Sequence, residues 1–347
     1  MAKDKVARGQ INAYKVENAA LLKTTDNLQS ILDSGVRAII LNPAWVYNFN
    51  NINIPSGTKI SGNGATITSP DTAHPIFNMG PQGSSGTVDI ILDGINFKGS
   101  SPDANNLACV ETDCGIYLYK SGRVKITNCR FEHFLGAGIN CFDYSTNPAL
   151  IDYISQQNII TGNTFHRCYY GFVNWFNAEY NICSLNNFTH CRCAIWSQSA
   201  NWLFSGNLIV RCRAGFVSAI DLNTIVTSVG ALQHGSFTGN IINHCRSEQT
   251  VSWQTENYLI NGIDYQGIYI NGASGCIPPT FNGNTLYYSG LTYINAATSG
   301  MPYWYLTGCV LSNCVVSCNV TAKMGLVACS EQANVTKTNV VSLTTPT

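Results

Sequence analysis

Thr-Gly-Asn-Thr-Phe-His-Arg-Cys (161–168), Ser-Gly-Asn-Leu-Ile-Val-Arg-Cys (205–212) and Thr-Gly-Asn-Ile-Ile-Asn-His-Cys (238–245) are three copies of one phrase, and weaker copies fill the chain around them. Aligned on the third residue, the copies fall at Ile95, Cys129, Asn163, Asn186, Asn207, Asn240, Asn261, Asn284 and Cys309, at intervals of 34, 34, 23, 21, 33, 21, 23 and 25. Intervals of 21–25 match one coil of a parallel β-solenoid. The three longer ones carry about eleven extra residues that must leave the coil as loops.

A true coil repeats its side-chain classes at fixed offsets. Two residues after the anchors stand Phe97, Phe131, Phe165, Phe188, Ile209, Ile242, Ile263, Leu286 and Leu311, all apolar. Five residues after stand Ser100, Phe134, Cys168, Cys191, Cys212, Cys245, Gln266, Ser289 and Cys314. Both columns read as interior ladders, because in-register parallel strands stack like residues about 4.8 Å apart. A second strand follows each turn, entered by a small residue and then a large apolar one: Gly138-Ile139, Gly171-Phe172, Ala194-Ile195, Gly215-Phe216 and Gly267-Ile268. A β-propeller requires blades of about 40–50 residues and is disfavoured by this spacing. The expected fold is all-β: a right-handed parallel β-helix with a short N-terminal capping helix. In that helix Asp26 is the N-cap, Gln29 holds the capping-box position, Leu28, Ile31 and Leu32 form the apolar stripe, and Gly35 is the stop. The helix is expected to plug the end of a β-helix domain spanning 25–335, between a 1–24 attachment segment and a 336–347 tail.

The chain has 347 residues, 19 basic and 19 acidic, and only 11% are charged. That balance gives no electrostatic case for binding nucleic acid. No apolar h-region opens the sequence and no stretch approaches the ~18 apolar residues of a span, so export and membrane insertion are not expected. Fifteen cysteines in no zinc-ribbon or disulfide-scaffold spacing are expected as buried free thiols, and no metal or cofactor is expected. His166, His190 and His244 lie near turns as hydrogen-bonded or exposed side chains, and Gly62-Asn63-Gly64 reads as a β-turn.

Leu-Gln-Ser-Ile-Leu (28–32), then Ile-Pro-Ser-Gly-Thr-Lys-Ile-Ser-Gly-Asn-Gly (54–64), resembles the opening of the pectate-lyase-like superfamily of right-handed parallel β-helices, over about residues 25–330. Within it, the short first segment and the mixed coil insertions resemble bacteriophage tailspikes. That resemblance implies a homotrimer in the virion that binds, and often cleaves, host surface polysaccharide, joined to the phage tail or baseplate through its N-terminus. The chain departs from larger tailspikes in lacking an obvious long trimerisation domain after residue 330.

Function in a solenoid sits on insertions from the rigid stack. The insertions around 143–157 and 221–234 both follow the second strand of their coils, so they share an edge. The short 163 and 186 coils lie between them, which sets two walls three rungs, about 14 Å, apart. Asp143 on one wall, Glu179 on the floor and Asp221 on the other wall are the candidate catalytic acids, with Asp152 in the first loop a substrate-binding candidate. Hydrolysis of a glycoside needs one carboxyl to protonate the leaving oxygen and another to attack or to activate water, at separations that one or two rungs bracket. Trp175, Trp196 and Trp202 are candidate platforms for a sugar face, or else packing at a subunit interface. Glu111 and Asp113 form a lesser cluster. The functions left open are an endoglycosidase tailspike, a binding-only adhesin with the same groove, and a soluble lyase or epimerase. The last is disfavoured because 143–166 holds no Lys or Arg to abstract a proton.

Overall fold

A computed structural model describes residues 19–80, 86–104, 107–142, 155–175, 178–218, 234–245, 267–271, 279–294, 304–319 and 323–343. The chain is a right-handed parallel β-helix. Each coil contributes one short strand to each of three sheets, which hold 13, 11 and 11 strands among the described residues. The coil of the first quoted phrase shows the plan: Ile159–Thr161 in the first sheet, Thr164–His166 in the second and Tyr170–Asn174 in the third. In a three-residue strand the middle side chain points inward and its neighbours outward. Ile160, Phe165 and Phe172 are accordingly buried in the bore.

The stacking is in register. Phe97, Phe131, Phe165, Phe188, Ile209 and Ile242 pair in sequence down the second sheet, and Ile139, Phe172, Ile195, Phe216 and Ile268 down the third. The rings of Phe97, Phe131, Phe165 and Phe188 lie nearly parallel, with centroids 4.6–5.0 Å apart. This stack explains the small residue that opens each third-sheet strand. A Cβ on Gly138 would lie 2.7 Å from the Phe165 ring, and one on Gly171 2.5 Å from that of Phe188. Alanine is tolerated at 194, where the phenylalanines give way to Ile209.

Between the first and second sheets the chain bends sharply, with Gly162, Gly206, Gly239 and Gly283 at positive φ. The next residue is the repeat anchor. Asn163, Asn186, Asn207, Asn240 and Asn284 are buried, and each side-chain oxygen accepts the backbone N–H of the anchor one coil earlier at 2.9–3.0 Å. Their amide groups donate onward, to main-chain oxygens of the preceding coil and, from Asn163 to Asn240, to the next asparagine. The ladder thus satisfies polar groups that a tight corner removes from the strand ladders.

Two expectations are corrected. Asn240 bonds directly to Asn284, and Ile241 pairs with Thr285, so Asn261 does not anchor a coil of its own. The 21- and 23-residue intervals there merge into a single coil with a long excursion, and residue 261 itself lies outside the described residues. The helix runs Leu28–Asp33 and its N-cap is Asn27, whose side chain accepts from the N–H of Ser30, not Asp26. Asp26 is occupied one step earlier, accepting the N–H of Lys23. Gln29 bonds Asp33 and the backbone of Asn53 instead of closing a capping box. Leu28 and Leu32 join the main core.

The cysteine column is as expected. Cys168, Cys191, Cys212 and Cys245 are free and buried, and burial pushes the thiols of Cys168 and Cys212 well above their usual range. Gly62-Asn63-Gly64 forms a turn closed by the Ala65 N–H on the Gly62 carbonyl. The first sheet runs from Ala19–Leu21 to Val340–Leu343 and the third takes in Thr336–Thr338, so the solenoid extends past the expected 25–335 at both ends, into the expected attachment segment and tail.

Candidate functional site

The edge between the third and first sheets carries the two long connections. One leaves after Ala137–Phe142 and returns at Ile159–Thr161, and the other leaves after Ala214–Ser218 and returns at Ser236–Thr238. Between their roots lie two coils with short connections, from Tyr170–Asn174 to Ile182–Ser184 and from Cys193–Ser197 to Leu203–Ser205. The four third-sheet strands are consecutive neighbours. Three inter-strand steps separate the roots, about 14 Å. Asp143, Asp152 and Asp221 lie outside the described residues.

Glu179 sits on the first short connection, half-buried, and its carboxylate accepts the side-chain N–H of Asn201 on the next coil at 2.9 Å. It is the one acid in the sequence between residues 155 and 218. Beside it Tyr180 takes positive φ and is exposed, with Asn201 in the matching left-handed position one coil on. Trp175, at the end of its third-sheet strand, is part-exposed and lies face to face with Trp196, centroids 6.3 Å apart.

Trp196 points outward but is only 3% exposed, packed with Tyr170 and Trp175 in a second apolar cluster outside the bore. Alternation from the inward Ile195 sets that direction, but not what covers it. Trp202 is 2% exposed and belongs to the core instead of the groove floor: it stacks on Phe204 at 4.2 Å and meets Phe216 edge-on. Its indole N–H donates to the Ser199 carbonyl, which lets the ring be buried without an orphaned donor. A Cβ on Gly235 of the next coil would lie 2.4 Å from that ring.

Sequence reasoning passed over Gln198. Asn174 and Ser197 are paired, so Gln198 follows Trp175 by one rung on the same outward column. It is 3% exposed, and its side-chain nitrogen has no hydrogen-bond partner. Nothing in sequence marks an orphaned amide, because its neighbours come from other coils.

Of the lesser acidic cluster, only Asp113 is packed down. Asp113 is fully buried; one carboxylate oxygen accepts the Leu135 N–H at 2.6 Å and the other has no partner. Burial pushes its pKa up to about 6. Arg192 closes over the same segment, donating to the Leu107 carbonyl at 3.0 Å and lying 4.8 Å from the Tyr169 ring. Glu111 remains exposed. His166 shares a hydrogen bond with Thr189 at 2.9 Å and His244 one with Asn243, while burial lowers the pKa of His133, His166 and His190. Among the described residues no three metal-ligating side chains converge, and no helix is long and apolar enough to cross a membrane.

No curated protein matches the chain in sequence. Among solved structures, the catalytic domain of a GH87 alpha-1,3-glucanase in complex with nigerose is similar at TM-score 0.56 and 12% identity, over 96% of this chain and 67% of that one. The pre-mature bacteriophage phi29 gene product 12 is similar at TM-score 0.52 and 12% identity, over 91% of this chain and 49% of that one. The chain therefore spans about two thirds of the glucanase domain and half of the phage protein, and at such identities the likeness is one of fold. The family model "Right handed beta helix region" matches residues 37–209 and 93–261. By that match, as by its strand register and corner ladders, the chain belongs to the right-handed β-helix family.

Proposed function

We propose that this chain is a tailspike-type receptor-binding protein that holds a host surface polysaccharide on the edge between the third and first sheets and hydrolyses it. The observation that carries the reading is two short coils, bearing Trp175, Glu179 and Tyr180, between two long connections on a rigid stack. Rigid coils with functional insertions are how solenoids build extended binding surfaces. The similarity to a carbohydrate-bound glucanase and to a phage protein supports it. In this reading Glu179 is one catalytic carboxyl and Asp143 or Asp221 the other, with Asp152 on the wall. In this proposal the segment ahead of Ala19–Leu21 attaches the protein to the phage tail or baseplate, while residues 19–24 belong to the solenoid.

The assembly is a homotrimer in this proposal. Its support is an apolar corner between the first and second sheets, where Leu185 is 70% exposed beside the exposed Leu208 and Ile241. Leu185 holds positive φ at a position that neighbouring coils give to Gly162 and Gly206. Both the strain and the exposure argue for a covered surface.

A binding-only adhesin is the second reading. It is favoured by the Asn201 amide that already engages the Glu179 carboxylate. Reducing-end release from purified surface polysaccharides of bacterial hosts decides between them. Binding with release supports the hydrolase, binding without release the adhesin, and no binding overturns both.

A further inference from the structure

The candidate groove floor contains an amide side chain that the fold does not use. Gln198 lies on the outward column of the third sheet, directly after Trp175 in the stack, with its backbone N–H held by the Asn174 carbonyl at 2.9 Å. Its side-chain nitrogen is removed from solvent and makes no hydrogen bond. The hydroxyl of the next residue, Ser199, is in the same condition. Buried amides are almost always bonded, so an unbonded one takes its partner from outside the chain, a water or a ligand. Around it Asn201 donates to Glu179, Asn181 to Asn174, Ser155 and Ala178, and the Trp202 indole to Ser199, while the Asn187 side-chain oxygen and the Ser218 hydroxyl share the unbonded state of Gln198.

We infer that Gln198 is the specificity-determining donor of a sugar subsite, giving its amide N–H to a hydroxyl or ring oxygen of an uncharged pyranose that rests against Trp175. The assignment rests on the glycan reading above and adds the class of group that is read. An aromatic face supplies area but tolerates any pyranose. A fixed donor discriminates, because a sugar lacking the oxygen at that place leaves the amide buried and unpaired. No cation faces Gln198 from the two short connections, which contain Glu179 as their only charged residue, so an anionic sugar gains nothing there.

The test uses the full chain and a printed array of purified bacterial capsular and O-chain oligosaccharides. Wild type should capture at least one, and Gln198→Met, close in length and without a donor, should bind it at least tenfold more weakly. Because the amide supports nothing in the fold, the same variant should unfold at the same or a higher urea concentration. A crystal structure of wild type with the captured oligosaccharide should place a sugar oxygen within hydrogen-bond distance of the Gln198 amide. Affinity within twofold of wild type overturns the assignment while the glycan reading stands. A lowered unfolding midpoint also overturns it, since Gln198 would then be structural. If wild type captures nothing, the glycan reading falls with it.

Discussion

Replacing Asn207 tests whether the corner ladder or the apolar bore carries the stack. Its side chain makes four hydrogen bonds: its oxygen accepts the backbone N–H and the amide of Asn186 at 3.0 and 3.1 Å, and its nitrogen donates to the Cys183 carbonyl and the Asn240 oxygen at 2.9 Å each. Asn207→Ala leaves the Asn186 N–H without a partner in a buried corner and strips one bond from each of the other groups. The Asn186 amide keeps the Ile160 carbonyl, and the Asn240 oxygen keeps the Asn207 N–H, so those two are only partly orphaned. At about 1–3 kcal/mol for each fully unsatisfied buried group, the loss should be about 2–5 kcal/mol. Asn207→Asp is nearly isosteric, but as a carboxylate it sets an acceptor against two acceptors. It should therefore hold its proton when folded, and its folded pKa should stand above its unfolded one. The stability of that variant is then greatest at low pH and falls by up to about 1.4 kcal/mol per pH unit between the two pKa values. Urea unfolding followed by tryptophan fluorescence at pH 4.5 and 8 measures both effects, with Asn282→Ala, exposed next to the same ladder, as the control. A loss below about 1 kcal/mol for Asn207→Ala, or an Asn207→Asp penalty indifferent to pH, would refute the ladder's role.

Glu179→Gln should lower polysaccharide cleavage at least ~100-fold with binding retained, measured as reducing ends released per enzyme; unchanged cleavage removes Glu179 from the chemistry. Leu185→Gly should relieve left-handed strain of about 1–2 kcal/mol, raising the stability of the single chain while weakening assembly in light scattering. A Leu185→Gly trimer as tight as wild type counts against that corner as the interface. Asp113, raised from 3.8 to about 6 by burial, binds its proton more tightly when folded. Its contribution is complete below about pH 4 and is lost as pH rises through 6, so wild type should lose up to about 3 kcal/mol across that window, and Asp113→Asn should flatten the curve.

The parts of the fold legible in sequence are those that repeat. Phe165 and Phe188 must face inward because a parallel stack forces one side-chain class per offset, and the Cys168–Cys245 column follows from the same rule. The long connections were legible as excess length over a 21–25 residue coil. Asn261 misled because a phrase can recur inside an excursion without entering the stack. Asn27 and Asp26 are both good N-caps, and only the turn that consumes Asp26 separates them.

The candidate site was legible as an edge and not as a set of atoms. Trp196 and Trp202 are both tryptophans near the same edge, yet one is covered on the outside and the other fills the bore beside Phe204 and Phe216. Trp196 is covered by Tyr170 and Trp175 from the preceding coil, and Trp202 is held in the bore by Phe204 and by Phe216 across it. Gln198 carries no sequence signal at all, since an unbonded amide is defined by what other coils fail to offer it. By itself the sequence determined the coil, its register and its interior columns, because these follow from short-range alternation repeated at a fixed period. Only the tertiary structure decided which outward side chains are covered, which polar groups are satisfied and which donor is left over, because burial and hydrogen bonding are settled between coils.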